Sequence, residues 1–251
     1  MIKRLVLLFF ILGSNLTFAQ ETDAQLIDNL QMDALKYFWD YTHPVSKLSR
    51  ERIHLEDLTF DQNTIATGGS GFGFLNIILA IENGYISQSQ GVSHLHTALD
   101  FLASADRFHG AWPHWIDGNT GGVIPFSEFD DGGDLVETAL LSQSLICIRE
   151  YFKNGNTQEQ ILAQKADDLW RGVEWNWYTK GENVLYWHWS PNHNWQMNLQ
   201  IRGYNEALIT YLLAVSSPEY PIDTQVYHQG WARDGDIVSS ASQYDIPVVF
   251  N

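Results

Sequence analysis

The sequence predicts an all-α fold of about six helices. After position 25, apolar residues recur at spacings of three and four, the period of an amphipathic helix, and alternation of apolar and polar residues is almost absent. Short turns at 84–87 and 153–156 alternate with long segments at 43–71, 106–130 and 176–197. If the helices run up and down around a ring, the long segments share one rim. Long irregular loops in compact domains are usually functional.

Each predicted helix ends at a recognisable signal. In the first helix, Leu26, Leu30 and Tyr37 mark the apolar face, and His43-Pro44 ends it because proline has no backbone N–H. Gly84 ends the second helix, and Ser216-Ser217-Pro218 ends the sixth. The six predicted helices cover about 26–41, 73–83, 88–105, 131–152, 157–175 and 198–215.

The first nineteen residues have the pattern of an export signal. Lys3 and Arg4 precede an apolar run from Leu5 to Leu12, and Thr17-Phe18-Ala19 suits a signal peptidase. The run is too short for a membrane anchor, and no later segment is apolar enough to cross a membrane. We therefore predict a signal peptide at 1–19 and a chain exported to the periplasm or outside the cell.

The chain has 14 basic and 30 acidic residues, a formal net charge of −16. Nucleic acid is excluded as a partner because phosphate binding requires a basic stripe, which the sequence lacks. An acidic composition suits an exported protein that acts on a neutral polymer. The single cysteine, Cys147, has apolar neighbours, and we expect it to be packed rather than reactive.

An acid-rich segment from Phe126 to Leu141 surrounds a Gly-Gly turn at the start of an apolar helix. Asp130, Asp134 and Glu137 are four and three residues apart, so they share one face wherever the segment is helical. We predict that these acids are catalytic. Asp134 in the first turn would stay ionised in the helix dipole, and Glu137 would be more desolvated. The alternative is that one acid caps the helix while the others lie on a solvated face.

Glu206 is a fourth catalytic candidate. Its predicted helix is apolar over most of its circumference, with Ala207, Leu208 and Ile209 beside the glutamate. A carboxyl group in these surroundings should have a raised pKa, which suits a general acid that protonates a leaving glycosidic oxygen. The alternative is a structural ion pair with Arg202 one turn earlier.

Aromatic residues and histidines are concentrated in the long segments. Indole rings stack on the apolar C–H faces of sugars, while His, Asp and Asn bond to the hydroxyl groups. We predict a carbohydrate-binding rim whose candidate residues are Trp112, His114, Trp115, Trp187, Trp189, His193, Trp195 and Tyr204. The histidines lack the H-E-x-x-H spacing of zinc proteases, and we predict neither a metal nor another cofactor.

A glycine-rich segment, Gly68 to Gly73, precedes the second predicted helix. It lacks the Lys-Ser/Thr pair of a phosphate-binding loop, which argues against a nucleotide site. We expect these glycines to let the backbone approach a ligand or turn tightly into the helix.

Four ordered blocks resemble a known family. They are Lys36–Asp40 with His43-Pro44-Val45-Ser46, Ala66–Phe74, Asp130–Thr138 and Gly203–Pro218. Together they are similar to the bacterial glucoamylase-like proteins that include the endo-β-1,2-glucanases of glycoside hydrolase family 144. The likeness extends over essentially all of the chain after the signal peptide.

The resemblance implies an (α/α)6 toroid, hydrolysis with inversion at the anomeric carbon, and a β-1,2-glucan or sophoro-oligosaccharide substrate. It matches Asp130, Asp134, Glu137 and Glu206 to acids in the family's cleft, with Glu206 as the general acid. The family is nearly twice as long as this chain. Residues 20–251 would therefore form the N-terminal half of the catalytic domain, an incomplete toroid of six helices.

Further expectations follow from that difference in length. The catalytic base would be Asp134, on the same cleft wall as Glu206, or a carboxylate in the second half. The chain by itself should be inactive, whereas the complete protein should be an active monomer. The apolar flanks of the first and sixth helices should be uncovered. Two other functions stay open: a glycosidase with another linkage preference, including an exo-acting one, and a non-catalytic oligosaccharide-binding protein of the same fold.

Overall fold

The computed structural model describes residues 21–249, which form a mostly helical fold. The predicted signal peptide at 1–19 lies outside the described residues. The six α-helices are α1 (Asp23–Trp39), α2 (Thr67–Glu82), α3 (Gln88–Ser104), α4 (Leu135–Phe152), α5 (Thr157–Arg171) and α6 (Leu208–Ser216). The predicted all-α class is therefore confirmed. Within 21–249, every helix is too short or too polar to cross a membrane.

The helices lie in two layers. In the inner layer α4 packs against both α2 and α6, whereas in the outer layer α3 packs against α5. α1 lies against α2, and α5 also packs against α4. Leu95 and Leu99 of α3 and Leu141 and Leu145 of α4 are fully buried in the core. Successive helices thus alternate between the layers, as they do in an α/α toroid.

The outer helices begin at capping boxes. Thr22 before α1, Ser87 before α3 and Asn156 before α5 each accept the N–H of the residue three positions later, and that residue's side chain accepts the cap's own N–H. α4 begins differently, because its N-cap Asp134 accepts the N–H groups of Val136 and Glu137. The capping alternative is therefore confirmed for Asp134.

Short antiparallel strands tie the long segments together. β1 (Thr64–Ala66), β2 (Trp115–Asp117) and β3 (Val123–Ile124) form one sheet, and the two-stranded pairs are β4 (Gly133–Asp134) with β6 (His188–Trp189), β5 (Leu185–Tyr186) with β7 (Gln200–Ile201), and β8 (Val238–Gln243) with β9 (Ile246–Val249). The β1–β2 ladder joins the first long segment to the second, and His109 of the second segment stacks on Trp177 of the third. The β4–β6 ladder joins the start of α4 to the third segment. The expectation that the long segments share one rim is confirmed.

Three helices are shorter than predicted because tertiary contacts end them. α4 starts at Leu135 rather than near 131, since Gly133 and Asp134 pair with β6. α5 stops at Arg171 rather than near 175, since Glu174 N donates to His109 O in the second long segment. α6 starts at Leu208 rather than near 198. Asn198 and Gly203 have φ values of +46° and +74°, which lie outside the right-handed helical region.

α2 starts at Thr67, so the glycine-rich segment lies inside the helix. The prediction of a loop before the helix is wrong. A methyl group on Gly71 would lie 2.5 Å from Leu140 O and 2.8 Å from Leu141 Cα of α4. The absence of a side chain at Gly71 therefore permits the close packing of α2 against α4.

Apolar side chains are exposed on the two flanks that the sequence indicated. Leu26 and Leu30 of α1 are 47% and 59% exposed, and Leu212 of α6 is 52% exposed. Among residues 21–249, no other element covers these side chains, as expected for the flanks of α1 and α6. Cys147 is exposed rather than packed, because it shares the solvent-facing side of α4 with Glu150, three residues later.

Gly71→Ala should destabilise the fold because the new methyl group would collide with the α4 backbone. We expect the unfolding free energy to fall by about 1–3 kcal/mol, the usual cost of overpacking. Urea denaturation followed by circular dichroism measures the change.

Gly69→Ala is the matched control, since its methyl group would meet only Ala66 Cβ, at 3.2 Å. This change should be neutral or stabilising by up to about 1 kcal/mol, the gain in helix propensity. Equal stability of the two variants would contradict the packing argument.

Candidate active site

Asp134 lies where α4 meets the long loops and is fully buried. Its Oδ1 accepts the backbone N–H groups of Val136 and Glu137, both at 2.9 Å. Its Oδ2 accepts from His114 Nδ1 at 2.9 Å and from Trp187 Nε1 at 3.1 Å. Four donors match the four lone pairs that a carboxylate offers. Asp134 thus joins α4 to the two loops that carry His114 and Trp187.

His114 lies between Asp134 and the aromatic ring of Phe126, whose centroid is 4.0 Å from the imidazole. Burial lowers the pKa of His114, but the hydrogen bond to Asp134 and the charges of Asp134, Glu137 and Asp130 outweigh it. The net pKa is raised above its ordinary value. The acids therefore favour a positively charged imidazolium at this position.

Asp130 is buried beside the same group. Burial, followed by the charges of Asp134 and Asp131, raises the pKa of Asp130 to about 6. Its Oδ1 lies 3.2 Å from His188 Nε2, and the Gly132 N–H donates to that nitrogen at 3.1 Å. Burial lowers the pKa of His188, so the neutral ring, with Nε2 as the acceptor, fits this geometry. His188 thereby holds the turn between Asp130 and Asp134.

Glu137 projects from the first turn of α4 towards the start of α2. Its Oε2 accepts the Gly68 N–H at 2.7 Å. Burial and the charge of Asp134 raise the pKa of Glu137, the His114 charge and the Gly68 hydrogen bond oppose the rise, and Glu206 adds to it. The predicted desolvation of Glu137 is confirmed.

The location and exposure of Glu206 differ from those predicted. It lies in the turn before α6 and is exposed, so the predicted desolvation inside an apolar helix is wrong. The physical reason is that the preceding segment pairs with other parts of the chain: β7 pairs with β5, the Gly203 N–H donates to Trp231 O, and α6 begins only at Leu208. The alternative ion pair is also absent within 21–249, where Arg202 donates to Gln229 O. Glu206 nevertheless lies near Glu137, whose pKa responds to its charge.

Asp131 and His193 lie beside the acid cluster in adjoining loops. Asp131 Oδ2 accepts from Asn192 Nδ2 at 2.6 Å and lies 3.8 Å from His193 Nε2. Burial raises the pKa of Asp131, but hydrogen bonds from Asn192 and Ser190 and the charges of His193 and His188 lower it below its ordinary value. These contacts link the 126–134 segment to the 188–195 segment.

The aromatic residues that we predicted to bind carbohydrate lie in several different environments. Trp187 bonds to Asp134, and Trp115 packs against Phe126 at 4.9 Å, so both lie beside the acid cluster. Trp112 is fully buried and donates to Leu102 O, so its prediction as a rim residue is wrong. Its side chain fills the core, a role that sequence composition does not distinguish from sugar stacking. Tyr204 is 60% exposed.

Trp189 and Trp195 belong to a second aromatic group that includes Trp177, which the sequence analysis missed. The Trp177 ring lies 5.8 Å from Trp189 and 6.3 Å from Trp195. Trp177 follows the early end of α5, whereas the prediction extended that helix to 175. The alternating aromatics at Trp175 and Trp177 were the available signal.

A groove of about 830 Å³ lies between α3 and α5, away from these groups. Its buried Glu159 is already satisfied by Gln88 Nε2 at 2.6 Å and Asn156 N at 2.9 Å. The acid cluster is therefore the better candidate for chemistry. Across residues 21–249, His, Cys, Asp and Glu side chains do not assemble into a metal-binding group of three or more.

Comparisons with known proteins agree with the four sequence blocks. Residues 198–251 match the family model described as "Putative glucoamylase". The chain is 44% identical over 214 residues to the exo β-1,2-glucooligosaccharide sophorohydrolase (non-reducing end) of Parabacteroides distasonis, covering 84% of this chain and 29% of that protein.

Solved structures show the same relationship. The endo-β-1,2-glucanase of Chitinophaga pinensis, in complex with sophorotriose and glucose, matches with a TM-score of 0.88 and 48% identity over 91% of this chain and 55% of that one. A "putative glucoamylase" of Bacteroides caccae matches with a TM-score of 0.88 and 45% identity, covering 92% of this chain and 56% of that one. The β-1,2-glucanase of Parabacteroides distasonis matches with a TM-score of 0.84 and 37% identity, covering 92% of this chain and 35% of that one.

The fold and the acid cluster thus define a helical protein of the α/α-toroid type. The chain is similar to the glucoamylase-like proteins, and the relatives that it matches include proteins named as β-1,2-glucan hydrolases. It spans about half the length of the Chitinophaga pinensis structure and less than a third of the curated sophorohydrolase.

Asp130→Asn should change the pH dependence of stability. The unfolded chain releases the Asp130 proton near pH 3.9, but the folded chain releases it at about pH 6. Because the folded chain holds this proton more tightly, protonated Asp130 favours the folded state below the unfolded pKa. This contribution to stability is lost as the pH rises through the folded pKa. Between pH 4 and 7 the variant should gain about 2 kcal/mol relative to the wild type, at about 1.36 kcal/mol per pKa unit. Urea denaturation at each pH measures it.

Asp131→Asn is the control in the adjacent position. The pKa of Asp131 is lowered, so its contribution is present above the unfolded pKa, and the variant should gain no stability as pH rises. A flat difference between wild type and Asp130→Asn across this pH range would refute the buried-acid assignment.

Proposed function

We propose that this chain forms part of the active site of a glycoside hydrolase that cleaves β-1,2-glucan or sophoro-oligosaccharides. The observation that carries the proposal is the cluster of Asp130, Asp134 and Glu137 beside His114 and Trp187 on the rim of long loops. Relatives that are 37–48% identical have names of enzymes for β-1,2-linked glucans or glucooligosaccharides.

The geometry favours different roles for the acids. Asp134 accepts four hydrogen bonds from the protein, so its lone pairs are occupied and it is poorly suited to take a proton from water. We assign it the role of orienting His114 and Trp187. Glu137 accepts one protein hydrogen bond through Oε2, and that leaves its other oxygen for a sugar hydroxyl or a proton transfer.

Glu206 is the proposed general acid. It is exposed and lies near Glu137, so it can reach a substrate that covers the acid cluster. Inverting glycosidases hold their acid and base about 6.5–9.5 Å apart, which leaves room for the attacking water. The resemblance to glycoside hydrolase family 144 supports both the role of Glu206 as general acid and hydrolysis with inversion. In this proposal the base is a carboxylate outside the acid cluster.

Export is also part of the proposal. It rests on the basic start, the apolar run and the cleavage-site pattern within residues 1–19. Cell fractionation followed by N-terminal sequencing tests it. A cytoplasmic protein that retains its first nineteen residues would contradict it.

Glu206→Gln in the protein expressed from its complete gene should lower turnover of β-1,2-glucan by two orders of magnitude or more. The reason is that a positioned general acid contributes about 10²–10⁴-fold. KM should change little, because the loss falls on the transition state rather than on substrate binding. Steady-state kinetics of reducing-sugar release separate the two constants.

Glu128→Gln is the matched control, since Glu128 is an exposed carboxylate of the same acid-rich segment. It should keep the wild-type rate. If Glu206→Gln does the same, Glu206 is structural and the assignment fails.

A panel of β-1,2-glucan, starch, laminarin and cellulose tests the substrate. Preferential cleavage of β-1,2-glucan supports the proposal. Faster cleavage of another glucan would overturn the linkage, and binding without cleavage of any of them would favour a non-catalytic oligosaccharide-binding protein.

A further inference from the structure

A second pocket opens beside the third long loop. We name it the Trp177 pocket. It has a volume of about 490 Å³, within the range of about 300–1,000 Å³ typical of ligand pockets. Its walls are formed by Glu174, Trp177, Lys180, Trp195 and Tyr220, together with the small and polar residues between them. Aromatic surface and hydrogen-bonding groups therefore occur together.

Trp177 is held rigidly although much of it is exposed. One face stacks on His109, with ring centroids 3.6 Å apart and an angle of 12° between the planes. His109 is fixed in turn, since its Nδ1 donates to Glu174 Oε2 at 2.9 Å and its carbonyl accepts the Glu174 N–H at 3.0 Å. Even so, 40% of Trp177 is exposed. An anchored and exposed indole is typical of a binding surface rather than of a core.

Trp195 forms another aromatic wall with similar support. Its ring lies 5.6 Å from Tyr186 and 6.1 Å from the buried Tyr178, both in edge-to-face geometry. Lys180 Nζ lies 5.0 Å from the centroid of the Tyr186 ring, a cation–π contact, and donates to Asn198 Oδ1 at 3.3 Å. Both charged groups of the pocket thus have a protein partner, since Glu174 Oε2 accepts from His109 Nδ1.

Tyr178 lies between this pocket and the acid cluster. Its ring lies 6.1 Å from Trp195 of the pocket, and a methyl group on Gly133, next to Asp134, would collide with its hydroxyl. Its hydroxyl donates to Phe108 O, and its side chain is fully buried. The two sites therefore lie on opposite sides of a buried wall. Trp189 links them, because its backbone pairs with Gly133 while its ring contacts Trp177.

We propose that the Trp177 pocket binds glucosyl units of a β-1,2-linked glucan at a site separate from the acid cluster. The proposal rests on the proposed function for the linkage. Sugar C–H faces would cover the exposed indole of Trp177 and the accessible part of the half-buried Trp195, and hydroxyl groups would donate to Glu174. A neutral ligand fits because the pocket has a carboxylate, its lysine is engaged, and the chain has a net charge of −16.

The test is isothermal titration calorimetry with sophorotriose on the protein expressed from its complete gene. Glu206→Gln serves as the background, because it should lower turnover during the titration with little change in substrate binding. We expect two binding events per protein in this background. Trp177→Ala should remove one of them or weaken it at least about tenfold. Trp177→Phe keeps a stacking ring and should give intermediate affinity, and circular dichroism checks that each variant is folded.

Tyr85→Ala is the matched control. Tyr85 follows the C-terminal end of α2, about 24 Å of helix away from the end that contacts Glu137, at 1.5 Å per residue. Both binding events should persist in this variant. Unchanged binding in Trp177→Ala would overturn the proposal, and so would the loss of both events, which would indicate one continuous site.

A parallel titration with maltotriose distinguishes failure of the pocket from failure of the proposed substrate. Binding of maltotriose but not sophorotriose, abolished in Trp177→Ala, would keep the pocket as a glucose-binding site and overturn the β-1,2 linkage. If neither sugar binds in a Trp177-dependent manner while β-1,2-glucan is still cleaved, the pocket is refuted and the proposed function stands.

Discussion

The buried carboxylate of Asp134 is the interaction on which the candidate active site depends. Removing a carboxylate from water costs several kcal/mol unless donors replace the lost hydration. Asp134 recovers this cost through two N–H groups at the start of α4, where the helix dipole also favours a negative charge, and through His114 and Trp187. Because these donors come from three parts of the chain, satisfying one charge fixes the relative positions of a helix and two long loops.

Burial, followed by the charge of the Asp134 carboxylate, makes the neighbouring acids easier to protonate. Burial and the Asp134 charge together raise the pKa values of Asp130 and Glu137, while the same charge raises the pKa of His114. A protonated acid, a charged carboxylate and a cationic imidazole can therefore coexist within one cluster. This separation of protonation states is what acid–base catalysis requires of neighbouring groups.

Close helix packing contributes to the same chemistry. The glycines at the start of α2 let its backbone approach α4, and the Gly68 N–H thereby reaches Glu137. A side chain at Gly68 would itself meet Glu137 Oε2, at 2.7 Å. The segment thus serves the site through a backbone donor and through the absence of side chains, although it forms part of a helix rather than a ligand-binding loop.

The sequence by itself determined the features that depend on neighbouring residues. The apolar period, the caps at Thr22, Ser87 and Asn156, and the clustering of acids near Asp134 are local, so the helical class and the acid cluster could be predicted. Only the tertiary structure decided which aromatics are core and which are surface, as Trp112 and Trp177 show. It also decided the early end of α5 and the late start of α6, which expose Trp177 and Glu206. The physical reason is that burial and strand pairing join residues far apart in the chain, and these contacts outweigh the local helical preference.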